Sequence, residues 1–157
     1  MRYNDPQKII VHHTGGTASN PMADTSHHTF HMVDAYHRKL WNFRSSMGHF
    51  IGYHYFIESD GSVHQGRADL EEGAHCRGHN RTSIGVCLAG NFDATDPTDA
   101  QKKALGKLLF ELVERHDIPE RMLVPHRKYS RAKSCYGWKL TDMWARMQYE
   151  LYKKESG

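Results

Sequence analysis

The sequence has no apolar run long enough to cross a membrane. Its 157 residues contain three cysteines and five prolines, and no hydrophobic stretch approaches the roughly 18 residues that a transmembrane helix needs. Residues 1–10 also lack the apolar segment of a secretory signal. We therefore expect no membrane contact and synthesis in the cytoplasm without a signal peptide.

Cysteine is too sparse for a disulfide framework. Cys76, Cys87 and Cys135 are an odd number at wide spacing, so they cannot all pair. A bridge between Cys76 and Cys87 stays open in principle. Synthesis in the cytoplasm favours buried or free thiols instead.

Charge of either sign is too weakly in excess to indicate a nucleic-acid partner. Twenty-one lysines and arginines stand against 18 aspartates and glutamates, which leaves a net charge of +3. This small, evenly spread excess would not oppose an anionic polymer such as a cell wall. Hydrophobic residues at 38% and charged residues at 25% are typical of a globular protein. The length predicts a single domain over residues 1–157.

Strand and helix patterns alternate along the chain. Short apolar runs bounded by turn residues predict strands, and apolar residues at steps of three and four predict helices. The predicted strands are Lys8–His12, Tyr53–Ile57, Ser62–Gln65 and Ser83–Ala89, and the predicted helices run from about Thr25 to Phe43, from Thr98 to before Pro119, and from about Leu140 onwards. This order predicts an α/β fold with a central mixed β-sheet flanked by about three main helices.

The helices carry apolar stripes and capping signals. Thr25 or Ser26 is the expected N-cap of the first helix, and Thr98 with Gln101 forms a capping box at the second. We interpret His37 in the first helix as structural, because single helix histidines more often pack than catalyse. The expected core-facing stripes are Met32, Val33, Tyr36, Leu40 and Phe43 in the first helix, Leu105, Leu108, Leu109, Leu112 and Val113 in the second, and Leu140, Met143, Trp144, Met147 and Leu151 in the last.

A metal-binding combination occurs in residues 124–137. This segment places His126, Lys133 and Cys135 close together in irregular chain, so an imidazole, an ammonium and a thiol can converge without helical or strand spacing. A second donor stretch lies far upstream, where the first predicted strand runs directly into two histidines. Two imidazoles and one thiolate are three protein ligands, and zinc with three protein ligands keeps a fourth position for water. That number is typical of a catalytic zinc site.

The same residues also have an ordinary interpretation. With 13 histidines in the chain, some histidines will lie near a cysteine by chance. The spacing of nine from His126 to Cys135 matches no compact zinc-finger pattern. An intracellular cysteine is also often a small buried hydrophobic residue. The spacing alone leaves both interpretations open.

Two other stretches contain candidates. Tyr53 begins an aromatic strand whose side chains are needed for core packing in any case. His75, His79 and Asn80 lie in a glycine-rich loop before the strand that starts at Ser83, and polar residues in such loops are candidate ligand contacts. Asn and Gly are also the residues that turns require, so turn formation is the alternative.

Five blocks together carry a resemblance to a known family. The sequence resembles the zinc-dependent N-acetylmuramoyl-L-alanine amidases of type 2, a family shared by short phage endolysins and the peptidoglycan recognition proteins. The order and relative spacing of the blocks are far more specific than any one of them. The blocks are IIVHHT, AYHRK, IGYHYFIESDGSV, GAHCRGHNRTSIGVCLAGNF and PHRKYSRAKSC.

The resemblance implies roles for individual residues. It implies that His12, His126 and Cys135 bind one Zn²⁺ ion, and that Tyr53 and Lys133 are catalytic. Such a zinc ion would lower the pKa of bound water to about 7. The residues implied to bind substrate are His75 and Asn80, and the neighbour of the first ligand, His13, is assigned to packing or to hydrogen bonding behind the metal.

The resemblance also implies an activity. We expect a zinc peptidoglycan hydrolase, a single amidase catalytic domain over residues 1–157, that cleaves the amide between N-acetylmuramic acid and L-alanine. We expect a monomeric phage or prophage endolysin that acts on the wall after release from the host cytoplasm. The alternatives are a non-catalytic peptidoglycan-binding protein and an amidase that also binds and restrains a phage RNA polymerase.

Overall fold

The short apolar runs of the sequence pair into one five-stranded sheet. A computed structural model describes residues 3–130 and 140–156. The sheet order is β3-β2-β4-β1-β5, with β2 and β3 antiparallel and the other neighbours parallel. The strands are β1 (Lys8–His13), β2 (Tyr55–Ile57), β3 (Val63–Gln65), β4 (Ser83–Leu88) and β5 (Leu123–Pro125). The prediction of an α/β fold with a central mixed sheet is confirmed.

Alternation along the strands gives the sheet two different faces. On the core face, Ile9 and Val11 of β1 belong to the main hydrophobic cluster together with Ile84 and Val86 of β4. Their neighbours on the other face are not part of that cluster, because successive side chains of a strand point to opposite sides. We call this second side the cleft face; it carries Ile10, His12, Gly85, Cys87, Val124 and His126.

Helix α2 (Asp99–His116) covers the core face as the sequence predicts. Its N-cap is Thr98, and the capping box with Gln101 is present in both directions. All five expected apolar residues of this helix are buried: Leu105, Leu108, Leu109, Leu112 and Val113.

Helix α3 (Trp144–Ser156) packs against α2 but differs from its prediction. It begins at Trp144 and not near Leu140. Its buried residues are Trp144, Ala145, Gln148 and Tyr149, whereas Met143, Met147 and Leu151 of the predicted stripe are about half exposed. The stripe prediction is confirmed for Trp144 and for Leu140, which packs against the core cluster. It was wrong for Met143, Met147 and Leu151, because the contact with α2 uses the aromatic side of the helix and not the methionine side.

Helix α1 (Phe30–Trp41) lies on the cleft face and also begins later than predicted. Its N-cap is Thr29, whose side chain accepts from the Met32 amide, so the Thr25 and Ser26 prediction was wrong. The buried residues are Phe30, Val33 and His37. Of the predicted core stripe, Met32, Tyr36 and Leu40 are exposed by 47%, 60% and 50%. His37 takes a core position in their place.

The described residues include two of the three cysteines and the helices α1, α2 and α3. Cys76 and Cys87 are both buried thiols that do not form a disulfide with each other, as expected for a protein that needs no disulfide framework. Cys135 lies outside the described residues. No helix within 3–130 and 140–156 is long and apolar enough to cross a membrane.

Candidate active site

Strand register brings His12 and His126 together at one end of the sheet. β5 pairs in parallel with β1, and the last recorded pair is Val11 with Pro125. One step further along both strands are His12 and His126, on the cleft face. Their ring centroids are 4.4 Å apart and the rings are tilted by 53°. Two imidazoles that are 114 positions apart (126 − 12) thus become neighbours because two parallel strands end side by side.

A missing side chain on β4 makes room for a third imidazole. Gly85 lies beside Ile10 in the register, and a Cβ at Gly85 would lie 2.5 Å from Cγ of His75. The His75 ring therefore occupies the space that any other residue at 85 would fill. His75 Nδ1 lies 2.9 Å from Nε2 of His12. Its Nε2 lies 3.2 Å from the Ser83 hydroxyl.

Tyr53 completes the group around His12. It stands just before β2, and its ring centroid is 4.9 Å from that of His12. His37 of α1 also packs against Tyr53, at 5.5 Å between centroids. The His37 ring is fixed in turn, because its Nδ1 accepts from the Gly52 amide at 2.8 Å. The predicted structural role of His37 thus agrees with its contacts, and these place it behind Tyr53.

These side chains line an open cleft of about 960 Å³. Asn80 also lines it, but its Oδ1 accepts from the amides of His75 and Cys76 at 2.8 and 2.9 Å. Asn80 thus stabilises the turn, which is the alternative role that the sequence allowed for it. The cleft wall includes His12, Tyr53, His75, Asn80, His126 and Tyr129.

Burial favours the neutral form of His12 and of His75. Loss of hydration lowers the pKa of His12 well below 6.5, and His126 and His75 lower it further by repulsion. The pKa of His75 is also well below 6.5, chiefly because of burial. A neutral imidazole has a lone pair for a metal ion, whereas an imidazolium has none. The neighbourhood of His12 therefore favours the form that can bind a cation.

His13 plays a different part from its neighbour. Its Nδ1 accepts from the Phe92 amide at 3.0 Å, and its ring packs against Phe92 with centroids 5.5 Å apart. Burial lowers the pKa of His13 to about 4. These contacts agree with the expected role in packing and hydrogen bonding.

The structure brings together part of the predicted site. His12, His126, Tyr53, His75 and Asn80 all line the cleft. Lys133 and Cys135 lie outside the described residues, so their predicted positions remain predictions. Within the described part of the chain, no group of three or more His, Cys, Asp or Glu side chains could hold a metal ion. The described residues supply two of the three expected ligands.

Sequence reasoning missed residues that support the cleft. Arg67 is fully buried; its guanidinium donates to the carbonyl oxygens of Ile51 and Phe43 and lies over the Phe43 ring at 4.3 Å. It thereby ties one cleft wall to the segment that leads into Tyr53. Ser83 and Gly85 were also missed, since both read as ordinary strand residues. The glycine in an otherwise apolar strand was the one available signal.

A family comparison agrees with this arrangement. Residues 2–138 match the Amidase_2 family, described as N-acetylmuramoyl-L-alanine amidase. The chain belongs to this family. Membership in the amidase family confirms the resemblance carried by the five sequence blocks. At the family level, it supports a function in peptidoglycan cleavage or peptidoglycan recognition.

The relatives of this amidase-family chain include both a peptidoglycan-recognition protein and an endolysin. Peptidoglycan-recognition protein SD of Drosophila melanogaster is 31% identical over 132 residues, covering 82% of this chain and 66% of that protein. The endolysin of Escherichia phage T7 is 34% identical over 99 residues, covering 60% of this chain and 64% of the endolysin. The chain thus spans just under two thirds of the length of these curated relatives.

A solved structure shows the same fold. N-acetylmuramoyl-L-alanine amidase LysC from Clostridium intestinale URNW has a TM-score of 0.72 and 24% identity, covering 94% of this chain and 87% of LysC. The single-domain α/β architecture with a mixed sheet is therefore the architecture of the amidase family.

Proposed function

We propose that the protein is a zinc-dependent peptidoglycan hydrolase that cleaves the amide between N-acetylmuramic acid and L-alanine, and that it serves as a phage or prophage endolysin. The observation that carries the proposal is the contact of His12 with His126, at 4.4 Å between centroids, beside Tyr53 in an open cleft. We further propose that the fold acts as one catalytic domain on the cell wall after leaving the host cytoplasm.

The donor set fits zinc. His12 and His126 are adjacent imidazoles, and burial keeps His12 neutral. Neutral imidazole nitrogen is a common zinc ligand, and a Cys thiolate is another. Cys135 is nine residues beyond His126 in the sequence, and a segment of that length is long enough to loop back to the same point. We assign these three residues as the zinc ligands.

The metal supplies what the side chains cannot. When bound, zinc lowers the pKa of water toward neutrality and polarises the carbonyl of the scissile amide. The protein has to hold that amide in place, stabilise the charge that develops on its oxygen, and deliver a proton to the leaving nitrogen.

Tyr53 and Lys133 are the residues that we assign to this chemistry. The Tyr53 ring packs between His12 and His37, so its direction is set by two buried histidines and its phenol can act as a fixed donor. Lys133 would add a positive charge near the same oxygen. A single donor of this kind is worth about 10²–10³ in rate.

The cleft also has groups that suit a muramyl peptide. Aromatic side chains form part of its wall, including Trp41 and Phe43, and its rim carries Glu72 and Arg77. Aromatic faces pack on sugar and aliphatic stem-peptide groups, and opposite charges at the rim can pair with the ionised ends of a peptide. His75 and Asn80 would contribute to binding mainly by shaping the loop between these groups, since both ring nitrogens of His75 and Oδ1 of Asn80 have partners within the protein.

The decisive test combines metal analysis with digestion of purified peptidoglycan. We expect about one zinc per chain, and mass spectrometry should find stem peptides with a free L-alanine amine. His126→Ala and Cys135→Ser should lose zinc and cleavage together, whereas Lys133→Ala and Tyr53→Phe should keep zinc and lose turnover. Full cleavage by metal-free Cys135→Ser protein would contradict the proposal.

A histidine outside the cleft provides the matched control. His27 is exposed before α1, so His27→Ala should keep both zinc and activity. Loss of zinc in this variant would mean that the metal is bound elsewhere.

Recognition without cleavage is the second candidate function. It is favoured by the 31% identity to peptidoglycan-recognition protein SD. A protein of this kind would bind purified wall in a sedimentation assay but release no peptide with a new amine.

Binding to a phage RNA polymerase is an added role that stays a prediction; a pull-down with the cognate polymerase tests it. Sedimentation equilibrium tests the expected monomer.

A further inference from the structure

A chain of hydrogen bonds runs from a backbone carbonyl to His12. Ser83 Oγ donates to the carbonyl oxygen of His79 at 2.6 Å. A carbonyl oxygen can only accept and a hydroxyl has one hydrogen, so this bond uses the only proton that Ser83 Oγ has. At 3.2 Å from the same hydroxyl, His75 Nε2 must therefore be the donor.

The same reasoning extends to the next ring. His12 and His75 are both buried, and the hydrogen-bond partners of their facing nitrogens are neutral groups. A buried imidazole without an anionic partner carries a single proton, because a second proton would leave an unpaired buried charge. With its proton on Nε2, His75 has a lone pair on Nδ1. The partner 2.9 Å away, Nε2 of His12, must then be a donor. A neutral His12 with its proton on Nε2 has its lone pair on Nδ1.

Packing prevents the His75 ring from escaping this arrangement. A Cβ at Gly73 would lie 2.7 Å from His75 Cδ2, and a Cβ at Gly85 would lie 2.5 Å from His75 Cγ. The ring thus lies between two backbone segments that have no side chain there. Asn80 Oδ1 holds the His75 amide at 2.8 Å, which fixes the backbone as well.

We propose that His75 and Ser83 select the tautomer of His12, so that Nδ1 is the atom of His12 that binds the metal. His75 is then a positioning residue for a ligand, beyond the substrate contact that the family resemblance implies for it. Ser83, a buried strand residue with no expected role, becomes part of the metal site. The inference rests on the proposed zinc site, but its central statement concerns the protein without metal.

Tautomer selection has an energetic consequence for metal binding. A ligand whose second nitrogen is held by a fixed partner does not have to rearrange its proton or its ring when the metal binds. Losing such a partner typically lowers metal affinity by about 10- to 100-fold. The effect of Ser83 should therefore appear in zinc affinity and not only in turnover.

The direct test is nitrogen NMR on metal-free, ¹⁵N-labelled wild-type protein at pH 7. Long-range proton–nitrogen correlations distinguish a protonated ring nitrogen from an unprotonated one. We expect Nε2–H and bare Nδ1 in both His12 and His75. A His12 ring with its proton on Nδ1, or one that averages between the two tautomers, would overturn the inference.

A buried serine elsewhere gives a matched variant pair. Ser83→Ala removes the acceptor of His75 Nε2 and should raise the zinc dissociation constant about 10- to 100-fold in a chelator competition assay. Ser45 is also buried and its hydroxyl donates to the Gly66 carbonyl at 2.7 Å, so Ser45→Ala should leave the constant unchanged. Equal zinc affinity in Ser83→Ala and wild type would refute the positioning role.

The outcomes separate this inference from the proposed function. Protein with the expected tautomer and zinc affinity but no wall cleavage would refute the amidase and leave the positioning role intact. Protein that cleaves the wall while His12 carries its proton on Nδ1 would keep the amidase and refute the positioning role.

Discussion

The two faces of the central sheet share the same strands but are built from different chemistry. The core face carries Ile9 and Val11 of β1 and Ile84, Val86 and Leu88 of β4, and these residues pack with α2 and α3 in the main hydrophobic cluster. The cleft face is covered by α1 only where Phe56 and Cys87 pack against it. Beyond that cover, the same strands present His12, Gly85 and His126 to an open cleft.

The difference shows how a rigid site is made from a small fold. Alternation lets Ile9 and Val11 anchor β1 while His12, the next residue along, faces the cleft. The apolar face supplies free energy of folding, so the polar face can hold several uncharged imidazoles close together. A change on one face should therefore affect stability, and a change on the other should affect chemistry.

The largest expected effect comes from the cleft face. His126→Ala should abolish peptidoglycan cleavage, while the free energy of unfolding of the metal-free protein changes by only about 1 kcal/mol, since the ring lies in the wall of an open cleft and not in the hydrophobic core. Peptide release and urea denaturation measure the two quantities. If the free energy of unfolding fell by several kcal/mol together with the activity, the two faces would not have separate roles.

Leu109→Ala makes the corresponding change on the core face. Leu109 is fully buried in the main cluster, so the variant should lose about 2–5 kcal/mol of unfolding free energy. Cleavage per folded molecule should stay at the wild-type value. The experiment compares urea midpoints with activity normalised to folded protein, and a specific loss of turnover would argue against separate roles.

Acid should weaken the cleft side through two buried histidines. Burial lowers the pKa of His37 and of His54 to about 4, below the 6.5 expected in the unfolded chain. The stability they contribute is fully present above pH 6.5 and is lost as the pH falls toward 4, because the unfolded state takes up protons first. At pH 5 the loss is about 2 kcal/mol per histidine.

Urea denaturation of metal-free protein at pH 7 and pH 5 measures this loss. His37→Asn should reduce the difference between the two pH values by about 2 kcal/mol, whereas His27→Ala, at an exposed position, should leave it unchanged. A wild-type protein equally stable at both pH values would contradict the expectation.

Gly85→Ala tests whether zinc binding needs a residue without a side chain at this position of β4. The added Cβ would lie 2.5 Å from the His75 ring, so the ring must move away from His12. We expect a stability loss of about 1–3 kcal/mol from overpacking, together with weaker zinc binding. Val86→Ala, on the other face of the same strand, serves as the control: it should lose stability and keep zinc affinity.

Thr98→Ala should have the smallest effect. It removes the side-chain half of the capping box at α2 and should lower the unfolding free energy by about 1 kcal/mol. The cap lies on the core side, so zinc affinity should not change. A thermal melt with a zinc titration checks both statements.

Some elements could be predicted from the sequence because their signals are local. The capping box and the leucine spacing of α2 predicted that helix and its buried face correctly. The predicted strands Lys8–His12, Tyr53–Ile57 and Ser62–Gln65 agree with β1, β2 and β3 to within two residues, because apolar runs bounded by turn residues are short-range features.

Other elements depend on contacts between distant residues. β5 is three residues long, and its pairing with β1 decides where His126 lies; no local pattern predicts that pairing. In α1, Asp34 faces inward and accepts from the Phe50 and Ile51 amides, so polar residues take core positions that the sequence pattern assigned to Met32 and Tyr36. The family resemblance, not the spacing, identified the histidine pair.

The distance along the chain between the two paired histidines has a consequence for synthesis. During translation, β1 emerges first and β5 only after more than a hundred further residues. An incomplete polypeptide therefore contains His12 without its partner, and the two rings can meet only after β5 has been made and has docked on β1. Under the proposed function, hydrolysis would begin only with the completed chain.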